Sequence, residues 1–544
     1  MSALDIPGTD SEKEPFLPGI PLRERKATWK ASRCAWILLL GLNAFYLASR
    51  VWPSNTSRCS PTTRICWAPC GPNIDCSQLI VPLDYTNLSS PSISLSLARY
   101  RATAPSLGSL IIEPGGPGGS GTQMVWNSGA KISRVVEGRY DIIGFDPRGI
   151  NNSEPKIECW ATEEERAVFH RAILKLPSDA KSSLAEVDAW YEVWAKGCSE
   201  RSGEAIKHVS TAFVARDVDQ LREALGQEKL MYWDACEYPV DGRSAIMWGK
   251  TSLDDTVHAF EAFLDTCASV GPSRCPLVKV EGTTAVDLRL EVEGLLMDLS
   301  HRPLPVTQGE HRGIVTRFGA LSYLYSSLYR PNAEWPRLAE VLDALITQRN
   351  GSLLLQELAW ENGLPPHDEE GTAVLCSDAV PANMISLEEW ASQTREMVEK
   401  SFISGEFRSL YTLPCRTWLG RPKERYVGNF SQKLAHPILL IGGTHDPATP
   451  LRNARRLAHD MGDSARLIVH HGFGHTSTRH VSNCTTQAVR DLLLKGILPE
   501  AAETHCFPSK ELFPVGNEFD VADVEEREIL RAMRDIGMSV AARW

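Results

Sequence analysis

The sequence predicts an α/β protein, a mostly parallel sheet flanked by helices and interrupted by an inserted helical block. Two observations carry that expectation. Short apolar segments recur at Ser109–Glu113, Tyr140–Phe145, Lys229–Trp233, His436–Gly443 and Leu467–His471, each running into a turn rich in Gly, Pro or Asp. Buried strands of this kind, separated by helical patterns, belong to parallel sheets. From about Leu253 to Gly371 the apolar spacing then changes to intervals of three and four residues, which is helical.

Taken in order, residues 1–33 are polar, rich in Pro, Glu and Lys, and read as a disordered cytosolic tail. Residues 34–52 hold an uncharged, mostly apolar run from Cys34 to Ser49, with Arg23, Arg25, Lys26, Lys30 and Arg33 before it. We expect a single membrane-spanning anchor with the N-terminus cytosolic and the body lumenal or extracellular; a cleaved signal, and so a secreted body, is the alternative. Residues 53–252 read as the first part of a sheet-and-helix core. Leu79–Tyr85 and the alternating Ser90–Tyr100 are expected as antiparallel edge strands. Ser109–Glu113 runs into Pro114-Gly115-Gly116-Pro117-Gly118-Gly119-Ser120-Gly121. So many glycines after a strand mean that backbone N–H groups approach something, such as an oxyanion. A flexible turn is the plain alternative, and a phosphate loop lacks its Lys-Ser/Thr ending. An amphipathic helix at about Val214–Leu225 stops on Gly226 before the strand Lys229–Trp233.

Residues 253–400 form the helical block, with helices at Phe260–Cys267, Leu288–Leu299 and Glu334–Ile346; its Tyr323, Tyr325, Tyr329 and Trp335 are read as core. Residues 401–508 resume the sheet, and 509–544 end in an amphipathic, charged helix.

A net charge of −11 argues against a nucleic-acid partner. Thirteen of the 14 cysteines follow Cys34, as do six Asn-x-Ser/Thr sequons, at Asn55, Asn87, Asn151, Asn350, Asn429 and Asn483. Both fit an oxidising, glycosylating compartment. Pairing neighbours gives Cys59–Cys66, Cys70–Cys76, Cys159–Cys198, Cys267–Cys275, Cys376–Cys415 and Cys484–Cys506, and leaves Cys236 over. Zinc at Cys59, Cys66, Cys70 and Cys76 is disfavoured, because paired C-x-x-C spacing and a nearby histidine are missing. Neither metal nor cofactor is expected.

Three motifs, LIIEPGGPGGSG at Leu110–Gly121, YDIIGFDPRG at Tyr140–Gly149 and ILLIGGTHDPATPL at Ile438–Leu451, resemble the secreted α/β-hydrolases of the tripeptidyl-aminopeptidase and proline-iminopeptidase type. The resemblance runs from about Trp67 to Pro508 and implies an α/β-hydrolase fold with a helical cap. It implies acyl transfer on a peptide or small ester, and a tripeptidyl-aminopeptidase-like C-terminal part. Gly115, Gly116, Pro117, Gly118 and Gly119 would form the oxyanion loop, and Asp146 and Arg148 would be structural or near-site. Asp446, on the turn after the fourth strand, and His475, on the glycine-flanked turn after the last, match the order nucleophile, acid, histidine. His445, His470 and His471 compete with His475 but lack the glycine frame.

The resemblance breaks after Lys229–Trp233. The nucleophile turn of such enzymes reads G-x-S-x-G, because strand and helix there nearly touch. Here the register gives Asp234-Ala235-Cys236-Glu237-Tyr238, with Cys236 in the nucleophile's place and neither glycine present. Ser244 is a rival with a single glycine in place. From Glu237 to about Thr251 there is no room for both a crossover helix and the next parallel strand. The function expected is therefore a membrane-anchored serine-hydrolase-type exopeptidase with a degenerate or truncated nucleophile turn. The alternative is an inactive homologue that serves as a binding or scaffold protein.

Overall fold

In a computed structural model, residues 58–59, 64–173, 181–234, 244–360, 369–381, 385–513 and 523–539 are described. The expected tail and anchor, Asn55 and Cys236 lie outside them. Among the described residues no helix is long and apolar enough to cross a membrane.

The first sheet starts antiparallel. β1 (Arg58–Cys59) pairs with β2 (Cys66–Gly71), β2 with β3 (Ile74–Pro82), and β3 with β4 (Ser92–Tyr100). Alternation along β4 turns Ile93, Leu95 and Leu97 into the core. β5 (Ser109–Glu113) is buried at every position. It is followed by α1 (Gly121–Val135), and it pairs in parallel with β6 (Asp141–Phe145) on one side. On its other side lies β7 (Tyr232–Asp234), also parallel, reached through α2 (Thr211–Ala224). Leu110 and Ile112 face α1, while Ile111 faces the opposite layer with Leu221 of α2. Helices on both faces explain the buried apolar runs of β5 and β6, whereas β7 is short and half-buried. The β1–β2 hairpin is an addition that the sequence pattern did not announce.

After β7 comes the short α3 (Ala245–Thr251) and then the expected helical block, with a two-stranded excursion, β8 (Leu304–Val306) and β9 (Gly313–Val315). The block holds two cores. One gathers Phe260, Phe263, Leu296 and Trp335, with α4 (Arg317–Leu328) across it. The other draws on helices from three stretches of the sequence. Helices Glu163–Ile173 and Lys181–Ser202, read from sequence as part of the sheet core, pack Phe169 and Trp194 against Trp390 and Trp418. Leu413, Cys415 and Trp418, at and after the helices Gly405–Thr412 and Pro414–Thr417, pack into this same core. Amphipathic helices carry no label for the layer they join, so only the packing assigns them.

The returning sheet is separate. β10 (Ile438–His445), β11 (Ala465–Phe473) and β12 (Glu503–Cys506) are parallel and in that order, with α5 (Asn483–Lys495) between the last two. Among the described residues, β7 ends one sheet and β10 begins the other, and no strand joins them. Ile438 of β10 is correspondingly 38% exposed. The C-terminal helix α6 (Val524–Ser539) lies on α1.

Disulfides link Cys70–Cys76, Cys159–Cys198, Cys267–Cys275, Cys376–Cys415 and Cys484–Cys506. Cys66 is disulfide-bonded, and Cys59 is its backbone partner in the β1–β2 register. The sequons divide into two groups. Asn87, Asn350 and Asn429 are exposed. Asn151 is exposed too, but its amide donates to Ser120 Oγ and to the buried Asp146 at 3.1 and 2.9 Å, and the amide of the half-buried Asn483 donates to Glu526 of α6.

Candidate active site

The glycine loop leaves the C-terminal end of β5, and its shape needs residues without a Cβ. Gly115, Gly116 and Gly118 have φ of +73°, +133° and +108°. The Gly119 N–H closes the turn on the Gly115 carbonyl at 3.0 Å. A Cβ on Gly121 would lie 2.2 Å from the Phe145 carbonyl, so α1 can begin this close to β6 only with glycine there. Gly116 stands exposed at the tip, and Pro117 follows it in the turn.

The expected Asp146 and Arg148 are both fully buried, and both are structural. Asp146 Oδ1 accepts from the hydroxyls of Ser120 and Thr122 at 2.6 and 2.8 Å, tying the glycine loop and the start of α1 to the turn after β6. Arg148 makes a two-pronged pair with Asp217 of α2, at 2.6 Å for each contact, and donates to the carbonyls of Pro82, Leu83 and His208.

At the opposite sheet, β10 delivers Asp446 and β11 delivers His475. His475 Nδ1 lies 3.0 and 3.1 Å from the two Asp446 oxygens, which leaves Nε2 for a nucleophile's proton. Asp446 is 3% exposed and is held by the N–H groups of Ala448, Thr449 and Thr476 and by the Thr449 hydroxyl. Burial pushes its carboxyl up, but the His475 charge and hydrogen bond, with the backbone donors, outweigh that and hold it below the usual aspartate value. The turn-forming role that sequence would give an Asp in a Pro-rich loop and the contact with His475 therefore coexist in one side chain. The histidine turn again needs glycine: Gly474 has φ +90°, and a Cβ there would lie 2.8 Å from the Tyr329 carbonyl. That carbonyl accepts the His475 N–H at 3.1 Å, and the Tyr329 ring packs edge-on against the imidazole with centroids 5.2 Å apart.

The competing histidines have other work. His470 is buried, bonded to Thr485 Oγ1 and the His480 carbonyl, and burial pushes it down to about 4. His471 pairs with His505 at 2.7 Å on the surface. His445 bonds Thr444 Oγ1 at 2.8 Å. Ser244 stands at the N-cap position of α3 without a side-chain capping hydrogen bond.

Sequence reasoning missed two features. Thr449 places its hydroxyl 2.9 Å from Asp446 Oδ2 and 3.5 Å from His475 Nδ1; the Asp-x-x-Thr spacing was its only signal. Glu113 ends β5 in register with Asp234 of β7, wholly buried at the root of the glycine loop. Burial, and then the neighbouring Asp234 and Asp146 carboxylates, push its carboxyl well above the usual range. A glutamate at the end of an apolar run carries no mark of this. The loop and Asp234 thus share the C-terminal edge of one sheet, and the Asp446–His475 pair sits at the C-terminal ends of the other, which is where open α/β sheets place their chemistry. Among the described residues no cluster of His, Cys, Asp or Glu is arranged to hold a metal.

Two family models match parts of the chain. Residues 108–233 match the family described as alpha/beta hydrolase fold, and residues 401–506 match TAP-like protein. The first match ends at Trp233, one residue before the turn that should carry the nucleophile. The chain is 26% identical over 481 residues to serine protease Hip1 of Mycobacterium tuberculosis, covering 80% of this chain and 89% of that one. It is 28% identical over 481 residues to the tripeptidyl aminopeptidase of Streptomyces lividans, covering 80% and 84%. Carboxylesterase B of Mycobacterium tuberculosis is 27% identical over 471 residues, covering 80% and 86%.

Proposed function

We propose that this chain, an α/β-hydrolase with a TAP-like C-terminal part, is a membrane-anchored acyl hydrolase of the peptidase type, acting on peptides or small esters, whose nucleophile turn is truncated. Its body faces the lumen or the exterior. Asp446 orients His475, His475 takes the nucleophile's proton, and the N–H groups of the Gly115–Gly119 loop receive the oxyanion. The relatives' printed names, serine protease, tripeptidyl aminopeptidase and carboxylesterase, support the reaction class and the substrate range. The exposed sequons and the disulfides support the compartment.

The observation that carries the truncation is the break in the sheet. β7 and β10 both lack a neighbour on one side among the described residues, in a fold class whose parallel strands are paired on both sides at the centre. One strand with its helix fills such a gap, and such a pair is what the short stretch from Glu237 to Thr251 cannot supply. The same break favours the second reading, a chain that keeps the fold for binding and has lost turnover.

Inserting a segment with G-x-S-x-G, a helix and a strand after Asp234 separates the two. Restored hydrolysis of aminoacyl or peptidyl reporters, abolished by His475→Ala, supports the truncated enzyme. An inserted chain that folds and stays inert supports the binding protein. Robust, His475-dependent hydrolysis by the unmodified chain overturns the truncation and makes Cys236 and Ser244 the residues to test as nucleophile.

A further inference from the structure

The C-terminal helix α6 lies beyond both matched regions, yet it touches the two halves of the site. One face packs Leu530, Met533 and Ile536 into the core that also holds Val125, Ile132 and Val135 of α1, the helix that begins where the glycine loop ends. Lys131 of α1 donates to the Asp535 carbonyl at 3.2 Å, and Arg134 pairs with Glu528. At its other end Gly537 is buried against the histidine turn. A Cβ at that position would lie 2.5 Å from the Thr478 carbonyl oxygen and 3.1 Å from Thr478 Oγ1. The Thr478 hydroxyl in turn bonds Thr476 Oγ1 at 2.9 Å. Thr476, held at φ +74°, donates its N–H to Asp446 Oδ2 at 3.1 Å. A short chain of contacts therefore runs from α6 through Thr478 and Thr476 to the acid–histidine pair.

We propose that α6 is a positioning element for the site, with Gly537 as its key residue: by seating on Thr478 it fixes the Asp446–His475 turn relative to α1 and the glycine loop. The physical need is plain from the topology. The glycine loop belongs to one sheet and the acid–histidine pair to another, and among the described residues no ladder of backbone hydrogen bonds registers the two. Acyl transfer needs base and oxyanion donors held within a fraction of an ångström. A helix packed on both halves supplies that registration where strand pairing does not. The proposal rests on Asp446 and His475 being the acid–base pair, so its test reads the pair itself and not turnover.

The measurement is the low-field Nδ1 proton of His475 shared with Asp446, followed by NMR in the full chain labelled with 15N-histidine. Gly537→Ala is expected to move that resonance upfield and broaden it as water reaches the proton. Thr478→Val keeps the volume and the seat of α6 but removes the hydroxyl link, so it is expected to shift the resonance even if Gly537→Ala fails to fold. Met533→Ala hollows the α1 side of the helix and is expected to lower the melting temperature while leaving the resonance in place. A signal unmoved by Thr478→Val, or moved by Met533→Ala as much as by the others, overturns the proposal and makes α6 simply part of the core. A wild-type protein with no such resonance overturns the acid–base reading beneath it.

Discussion

Replacing Asp446 tests the site most directly, because the structure assigns the carboxylate two separable duties. Asp446→Ala removes the acceptor for three backbone N–H groups, those of Ala448, Thr449 and Thr476 at 2.9, 2.9 and 3.1 Å. A buried donor left without a partner costs about 1–3 kcal/mol. His475 is 25% exposed at the side chain, so water can reach part of the vacancy, and the low end of that range applies. The expected loss of stability is about 3 kcal/mol. Asp446→Asn keeps one oxygen for Ala448 and Thr449 but turns an NH2 toward Thr476 N–H and His475 Nδ1, setting one donor against another. Its expected cost is about 1–2 kcal/mol. In a chain carrying the inserted G-x-S-x-G segment, the same substitution fixes the wrong histidine tautomer and is expected to lower kcat by about 10⁴-fold, by analogy with the serine-protease triad. Urea unfolding of both variants and reporter hydrolysis by the chain carrying the insertion make the assay. The reasoning fails if Asn is as destabilising as Ala, or if Ala costs under about 1 kcal/mol, since either result would mean that the carboxylate does not organise the turn. The wild type should also shed stability as pH falls through the depressed carboxyl range, a slope that the Asn variant lacks.

Three further outcomes are expected. Arg148→Met strands the buried Asp217 and leaves the carbonyls of Pro82, Leu83 and His208 without their donor, so equilibrium unfolding should show a loss of about 3–5 kcal/mol, with Arg148→Met/Asp217→Leu markedly less damaging than the sum of the single variants. His470 and His480 are buried and pushed down to about 4, so the unfolded chain takes up protons first: stability is intact above about pH 6.5 and falls between 6.5 and 4, where His470→Gln should flatten the curve. Glycan mapping of the protein from a secretory host should find Asn87, Asn350 and Asn429 occupied and Asn151 and Asn483 bare, and a glycan on Asn483 together with an intact α6 core would contradict the amide's bond to Glu526.

The sequence by itself determined that β5, β6 and β11 are buried, that the glycine loop and the histidine turn need glycine, and which Asp and His stand at the ends of the late strands, whereas β7 and β10, expected as buried, are only half-buried. Those features are local. An apolar run such as Leu110–Ile112 can only be central, and a turn such as Gly474 at φ +90° tolerates little else. The same holds for Cys70–Cys76 and Cys267–Cys275, which are 6 and 8 residues apart along the chain. Only the tertiary structure decided how the layers were assigned. The helices at 163–202 join the cap because Trp194 stacks on Trp418 with ring centroids 5.0 Å apart, a contact between residues far apart in sequence. Thr449, Glu113 and Gly537 likewise gain their roles from neighbours on other elements, and Glu113 reads as one more strand-end residue until Asp234 and Asp146 close around it. The tail helix shows the difference most clearly. Its amphipathic pattern dictates that it must bury one face, but period alone names no partner, and the partner, α1 on one side and the histidine turn on the other, is set by the shape of the surface that the rest of the chain leaves open.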